Sequence, residues 1–198
     1  MPISRMIIIY FLLNFVTFKV FGQNSDYKLL LERYQHTINN ENGSISFYIS
    51  KNSKKIRSSS KIIYYWYAHG QLNITQGGYN GKLLNGLFSQ RDSNGKLSET
   101  GNFSTGRKHG AWKKWNENGE LLEFTTYRLG RRNGNYWLFV NGQIKEHGRY
   151  RFDQLDGKIV KHISNDSTVV LKYDKGILLK DIPLKRSLLQ RIWKGKVK

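Results

Sequence analysis

The chain has no cysteine and only two prolines in 198 residues. Without cysteine there is no disulfide framework, thiolate metal site, cysteine nucleophile or lipidated cysteine. With 19 glycines against so few prolines, the turns are expected to be of the kinds that need positive φ. Acidic residues are scarce as well: 14 Asp and Glu face 33 Lys and Arg, a formal charge of +19 and a pI of about 10.1. A charge of that size favours anionic partners without naming one. A disordered basic tail would also be poor in rings, whereas this chain is 14% aromatic, with 5 Trp, 12 Tyr and 10 Phe, so most of it folds. Its length suits one ordinary domain or one short repeat array.

One apolar run stands at the N-terminus, from Met6 to Val16 behind Arg5, and it continues to Gly22 before the polar Gln23, Asn24, Ser25 and Asp26. Its strictly apolar core is about 11 residues, short of the roughly 20 that a spanning helix needs. Val20 and Gly22 are small enough for the −3 and −1 positions of a cleavage site. Residues 1–22 therefore read as a secretory signal peptide cut after Gly22, with an uncleaved anchor as the alternative. Either way the remainder is expected to be exported, periplasmic or extracellular. Removing Arg5 and Lys19 with the segment takes the charge from +19 to +17, so the charge belongs to the working protein.

The middle of the chain repeats. Tyr79, Phe103, Tyr127, Tyr150 and Tyr173 are spaced 24, 24, 23 and 23 residues apart. Gly86, Gly110, Gly134 and Gly157 keep the same register, as do Phe88, Trp112, Tyr136 and Ile159. Asn94-Gly95, Asn118-Gly119 and Asn141-Gly142 mark one turn per unit, with His69-Gly70 ahead of them. Within a unit, Leu97 and Phe103 alternate onto one face as in a half-buried strand. Gly101 shares that face and leaves room for a large ring from the next strand, for which Trp112 is the candidate. The chain then turns through Gly106 to Gly110, re-enters as Ala111 to Trp115, and turns again at Asn118-Gly119, where a type I′ hairpin is expected. Such a hairpin cannot bury its rings alone, so neighbouring units stack. Two strands per unit advance the sheet by about 10 Å.

The Gly-x-Trp-x-x-Trp-x-x-Asn-Gly run from Gly110 to Gly119 and the Gly-x-x-x-Gly turns at Gly106–Gly110 and Gly130–Gly134 resemble MORN-variant repeats. These are found in exported bacterial proteins and in a family labelled as toxin–antitoxin antitoxins. The resemblance covers residues 69–162, with a degenerate unit through Tyr173, Gly176 and Leu178. It implies an elongated antiparallel β-meander of stacked hairpins serving as a scaffold, and related arrays are credited with lipid or protein binding. The organisation expected is a signal segment at 1–22, a cap at 23–68, the array at 69–180 and a basic tail at 181–198.

The flanks read as caps. Tyr27, Leu30, Leu31 and Tyr34 fall at helical spacing behind Ser25, which predicts a short amphipathic helix. Ile45, Phe47 and Ile49 alternate as a strand, Lys51 to Ser60 is a polar connector, and Lys61 to Tyr67 is a strong strand signal, so an irregular leading hairpin is expected. After Pro183 the tail carries six cations and no acid. Leu184, Leu188, Leu189, Ile192 and Trp193 gather on one half of a helical wheel and most of the cations on the other. That pattern suits an interfacial helix on an anionic membrane, or equally a helix capping the last repeat.

Catalytic patterns are missing. The five histidines fall in no metal-spaced pair, and no nucleophile elbow or Walker loop occurs. Glu99, Glu123 and Glu146 form one repeat column about 10 Å apart, read as a solvated ladder facing Lys rather than a proton-sharing pair. No cofactor, metal or small-molecule substrate is expected. The basic residues are columnar too: Arg107-Lys108 and Arg131-Arg132 occupy one turn position, with Lys82 as an earlier counterpart. They are the candidate anion-binding residues, together with Lys185, Arg186, Arg191 and Lys194 of the tail; polar turns that simply collect solvated cations would look the same. Trp115 and Phe139 are candidate contact rings or core. The sequence thus points to a non-enzymatic scaffold for an anionic membrane, envelope polymer or acidic protein, with an immunity or antitoxin-like interaction module as the alternative and nucleic acid the least favoured partner.

Overall fold

The computed structural model describes residues 33–50, 56–164 and 167–183. The signal segment 1–22, the helix-spaced Tyr27, Leu30 and Leu31, and the tail cations Lys185, Arg186, Arg191 and Lys194 lie outside the described residues. Tyr34, grouped with that helix by spacing, stands instead in a strand. Among the described residues all regular structure is β: β1 (Arg33–Asn40), β2 (Gly43–Ser50), β3 (Ile63–Ala68), β4 (Gln71–Gln76), β5 (Lys82–Arg91), β6 (Leu97–Ser104), β7 (Arg107–Trp115), β8 (Leu121–Arg128), β9 (Arg131–Val140), β10 (Gln143–Arg151), β11 (Gln154–Leu155), β12 (Gly157–Ser164), β13 (Ser167–Asp174) and β14 (Ile177–Pro183). They form an open antiparallel meander in the order β1-β2-β5-β6-β7-β8-β9-β10-β12-β13-β14.

The leading elements do not pair as a β2–β3 hairpin. β2 pairs with β1 and β5, while β3 folds back on β4 through a His69-Gly70 turn and pairs with β5 only at Trp66 and Tyr67. This β3–β4 hairpin lies against the start of the sheet, with the Tyr65 ring 4.6 Å from Phe103 and Tyr67 5.5 Å from Phe47. Tyr79 leaves its repeat column with it: its ring sits 5.7 Å from Tyr64 and its hydroxyl donates to the Ile56 carbonyl.

Cross-strand register explains the columns. Gly86, Gly110, Gly134 and Gly157 stand opposite Phe103, Tyr127, Tyr150 and Tyr173, so each column glycine faces the ring of an adjoining strand. All four glycines have positive φ. A second set interlocks with the first: Phe88, Trp112 and Tyr136 stand opposite Gly101, Thr125 and Gly148. A Cβ on Gly101 would overlap the Trp112 indole, the accommodation anticipated from sequence. Phe47, Leu84, Phe88, Phe103 and Trp112 form the main buried cluster on this ring-bearing face, and Tyr136 and Ile159 extend it.

The two long edges of the meander differ. On the first, Thr105-Gly106, Leu129-Gly130, Phe152-Asp153 and Lys175-Gly176 make two-residue turns with positive φ at both positions, as type I′ requires. The N–H of each second residue donates across to Leu84, Lys108, Arg132 and Leu155 carbonyls at 2.7–2.9 Å, zipping successive units together. On the second edge, Asn141-Gly142 is type I′, but Asn118-Gly119 is not: only Gly119 has positive φ. That loop runs five residues, Asn116–Glu120, against two, and Asn116 Oδ1 accepts from the Asn118 and Glu120 amides. Asp92 does the same for Asn94 and Lys96. Here pairing between successive hairpins stops at Glu99↔Lys114, Glu123↔Leu138 and Glu146↔Lys161, so the sheet divides into fingers with clefts between them.

Candidate anion-binding face

Arg107 and Lys108 are neighbours in sequence, but they are the opening residues of β7 rather than a turn, and strand alternation sends them to opposite faces. Arg131 and Arg132 open β9 in the same way. Lys108 goes to the ring face, where its Nζ lies 2.7 Å from Glu99 Oε1 and 3.9 Å from the centre of the Trp112 ring. Burial lowers the Lys108 pKa, and Glu99 opposes that shift. Arg132 also goes to the ring face, stacked 4.1 Å over Tyr150 and 3.7 Å from Asp153. Lys82 is exposed opposite Tyr67; the turn hydrogen bonds make Leu84, not Lys82, the counterpart of Lys108.

The carboxylate column is partly buried rather than solvated, and each member has a lysine. Glu146 lies 3.0 Å from Lys161 and Glu123 3.9 Å from Lys114, completing the series begun by Glu99. The Tyr136 hydroxyl donates to Glu146 at 2.6 Å, and burial with that bond pushes its pKa up. The Glu146 hydrogen bond raises Lys161 against a smaller opposing effect of burial. Thr125, buried and donating to Glu123, takes the place of the glycine found at 101 and 148. The 24- and 23-residue spacing could have revealed this column, though not that a threonine fills it.

The opposite, open face carries a different charge pattern. Arg128 stands directly opposite Arg131 across the Leu129-Gly130 turn, and Lys158 opposite Lys172. Arg149 and Arg151 of β10 lie between these pairs. Arg128, Arg149, Arg151, Lys158 and Lys172 are exposed and Arg131 is half-buried. Like charges placed directly opposite on a sheet are destabilising. No Asp or Glu occupies the alternate positions of β6 to β10 or β12 on this face, while in β13 Asp174 stands two residues from Lys172. Arg107 belongs to the face only in part: its Nη2 donates to Thr105, and its Nε is buried without a partner among the described residues. Beside the cations runs a row of directly opposed residues, Phe124, Trp137, His147, Val160 and Val170. The Phe124 and Trp137 rings meet edge-on at 5.0 Å, and the His147 and His162 rings stack at 6.1 Å. Sequence reading missed Arg128, Arg149, Arg151, Lys158 and Lys172, although Arg128 and Arg151, and Arg149 and Lys172, stand one 23-residue repeat apart; their further signal is alternation within each strand.

Trp115 and Phe139 are half-buried at the fingered edge. No group of three or more His, Asp or Glu side chains able to hold a metal occurs among the described residues. No protein-family model matches the chain, and no curated protein matches it.

Proposed function

We propose that this chain is an exported, non-enzymatic β-repeat scaffold of the MORN-variant kind whose open face docks on an anionic envelope surface. The observation that carries the reading is the pair of like-charge contacts, Arg128↔Arg131 and Lys158↔Lys172, on a face whose alternate positions in β6 to β10 and β12 hold no carboxylate and where Asp174 of β13 is the acid next to Lys172. A fold stabilised only from within would place acids there, as it does on the ring face beside Lys108, Lys114 and Lys161. An external polyanion supplies the missing negative charge and relieves the repulsion. The half-buried rings beside the cations add contact area, and the tail cations Lys185, Arg186, Arg191 and Lys194 would add to the same attraction.

The test is cosedimentation with anionic and neutral lipid vesicles across a salt series. Binding should require the anionic vesicles and fall steeply as salt rises. Each basic residue near an anionic membrane contributes about 1 kcal/mol, so the Arg128→Gln, Arg149→Gln, Lys158→Gln variant should bind at least about tenfold more weakly. Lys96→Gln, at the fingered edge, should bind like the parent. Equal binding by the triple variant would refute the face. Indifference to vesicles, with an acidic protein copurifying at fixed stoichiometry, would replace the surface by that partner.

A further inference from the structure

The cleft between β6 and β7 on the fingered edge has a chemistry unlike the basic face. It encloses about 530 Å³, within the range of small-molecule sites. Trp115 lines it, together with the amide-bearing Asn42, Gln90 and Asn118 and the acidic Glu117. None of these side-chain polar atoms, nor the Trp115 indole N–H, has a hydrogen-bond partner among the described residues. The backbone beneath is held firmly. Asp92 and Asn116 each cap a turn by accepting two backbone amides, and Ser98 Oγ donates to the Gln90 carbonyl. The cleft therefore presents unused polar groups on a braced frame.

We infer that this cleft binds a neutral pyranose unit of a glycan. A pyranose has an apolar C–H face and a rim of hydroxyls that both donate and accept. An indole matches the apolar face, and carboxamides, which also donate and accept, match the rim. Charge favours a neutral ligand. Asp92 and Glu117 disfavour an anion, while Lys96 Nζ, bound to the Glu117 carbonyl, and Arg91, bound to the Gly95 carbonyl, offset a cation's attraction to those carboxylates. The cleft between β10 and β12, about 440 Å³, is lined by Val140, Ile144, Ile163 and His162 and has no ring platform of the Trp115 kind.

The test is saturation-transfer NMR on the full chain with tetramers of N-acetylglucosamine and of glucose. At least one tetramer should receive saturation with a Kd of about 1 mM. Trp115→Ala should weaken it by about tenfold or more, and Gln90→Leu and Asn118→Ala each by a few-fold. Vesicle binding by the same variants should be unchanged, which separates this site from the basic face. No transfer to either tetramer at about ten times that concentration, or undiminished transfer in folded Trp115→Ala, would overturn the inference.

Discussion

The two long edges of this sheet are built from the same strands yet behave as opposites. Along one, every turn donates a backbone hydrogen bond to the preceding unit, and the rings of Trp112, Tyr127 and Tyr150 lie close by. Along the other, pairing between hairpins ends at the Glu99, Glu123 and Glu146 rows and the loops project as separate fingers. The lesson is that a repeat can divide its tasks along the strand axis. Cohesion collects where successive units can reach each other's carbonyls, and the end where they cannot is left with open clefts.

The sharpest way to break this contrast is to remove the same ring from either side of it. Trp112 is 3% exposed and donates to the Asn102 carbonyl, whereas Trp115, three residues on in the same strand, is half-buried at a finger. Trp112→Ala should cost about 3–5 kcal/mol in urea unfolding. Trp115→Ala should cost less than about 1 kcal/mol. Equal losses would mean that the fingers carry as much stability as the zipped edge.

A subtler comparison uses two glycines with the same backbone angle. Gly106 and Gly142 both have φ of 72°. A Cβ on Gly106 would press on Leu83 and lie 3.0 Å from the Tyr65 carbonyl oxygen, whereas one on Gly142 meets nothing within 4 Å. Gly142→Ala should therefore show only the left-handed penalty of about 1–2 kcal/mol. Gly106→Ala should add a further 1–3 kcal/mol or so from crowding, read from the same unfolding curves.

The smallest effect is a titration. Burial first, and then the neighbouring Glu123, push the Tyr127 phenol from 10.0 to about 12. A raised folded-state value means that the folded chain holds a proton the unfolded chain releases. Its contribution to stability is whole below pH 10 and is lost as pH climbs toward 12. The phenolate absorbance difference between the parent and Tyr127→Phe should thus have its midpoint near pH 12 in the folded chain and near 10 in urea. A midpoint near 10 without urea would place Tyr127 in solvent and the zipped edge in doubt.

Most of the array was legible because its rings and glycines recur in three registers, and because Gly101 could only be explained by a ring beside it. What escaped was set by differences of one residue. Asn118-Gly119 and Asn141-Gly142 read alike, but the chain between Lys114 and Glu123 is one residue longer than that between Leu138 and Glu146, which goes with a different turn type and the cap supplied by Asn116. Arg107 and Lys108 read as one stripe because Gly106 and Gly110 looked like the two ends of a turn. Gly110 lies within β7, so the pair alternates and only one cation leaves the core. The partner of Lys61–Tyr67 was beyond reach because β2 and β4 are both plausible by alternation; the Tyr65 and Tyr67 contacts that bind β3 across the sheet are tertiary.

The turn hydrogen bonds run only between adjacent units, from Gly106 to Leu84, Gly130 to Lys108, Asp153 to Arg132 and Gly176 to Leu155. Each unit therefore carries one half of an identical joint at either side. A gene encoding such a chain can gain or lose a whole unit by duplication or deletion and still close every joint. Its length, and hence the number of cations and clefts it displays, is then open to selection as copy number rather than as new structure.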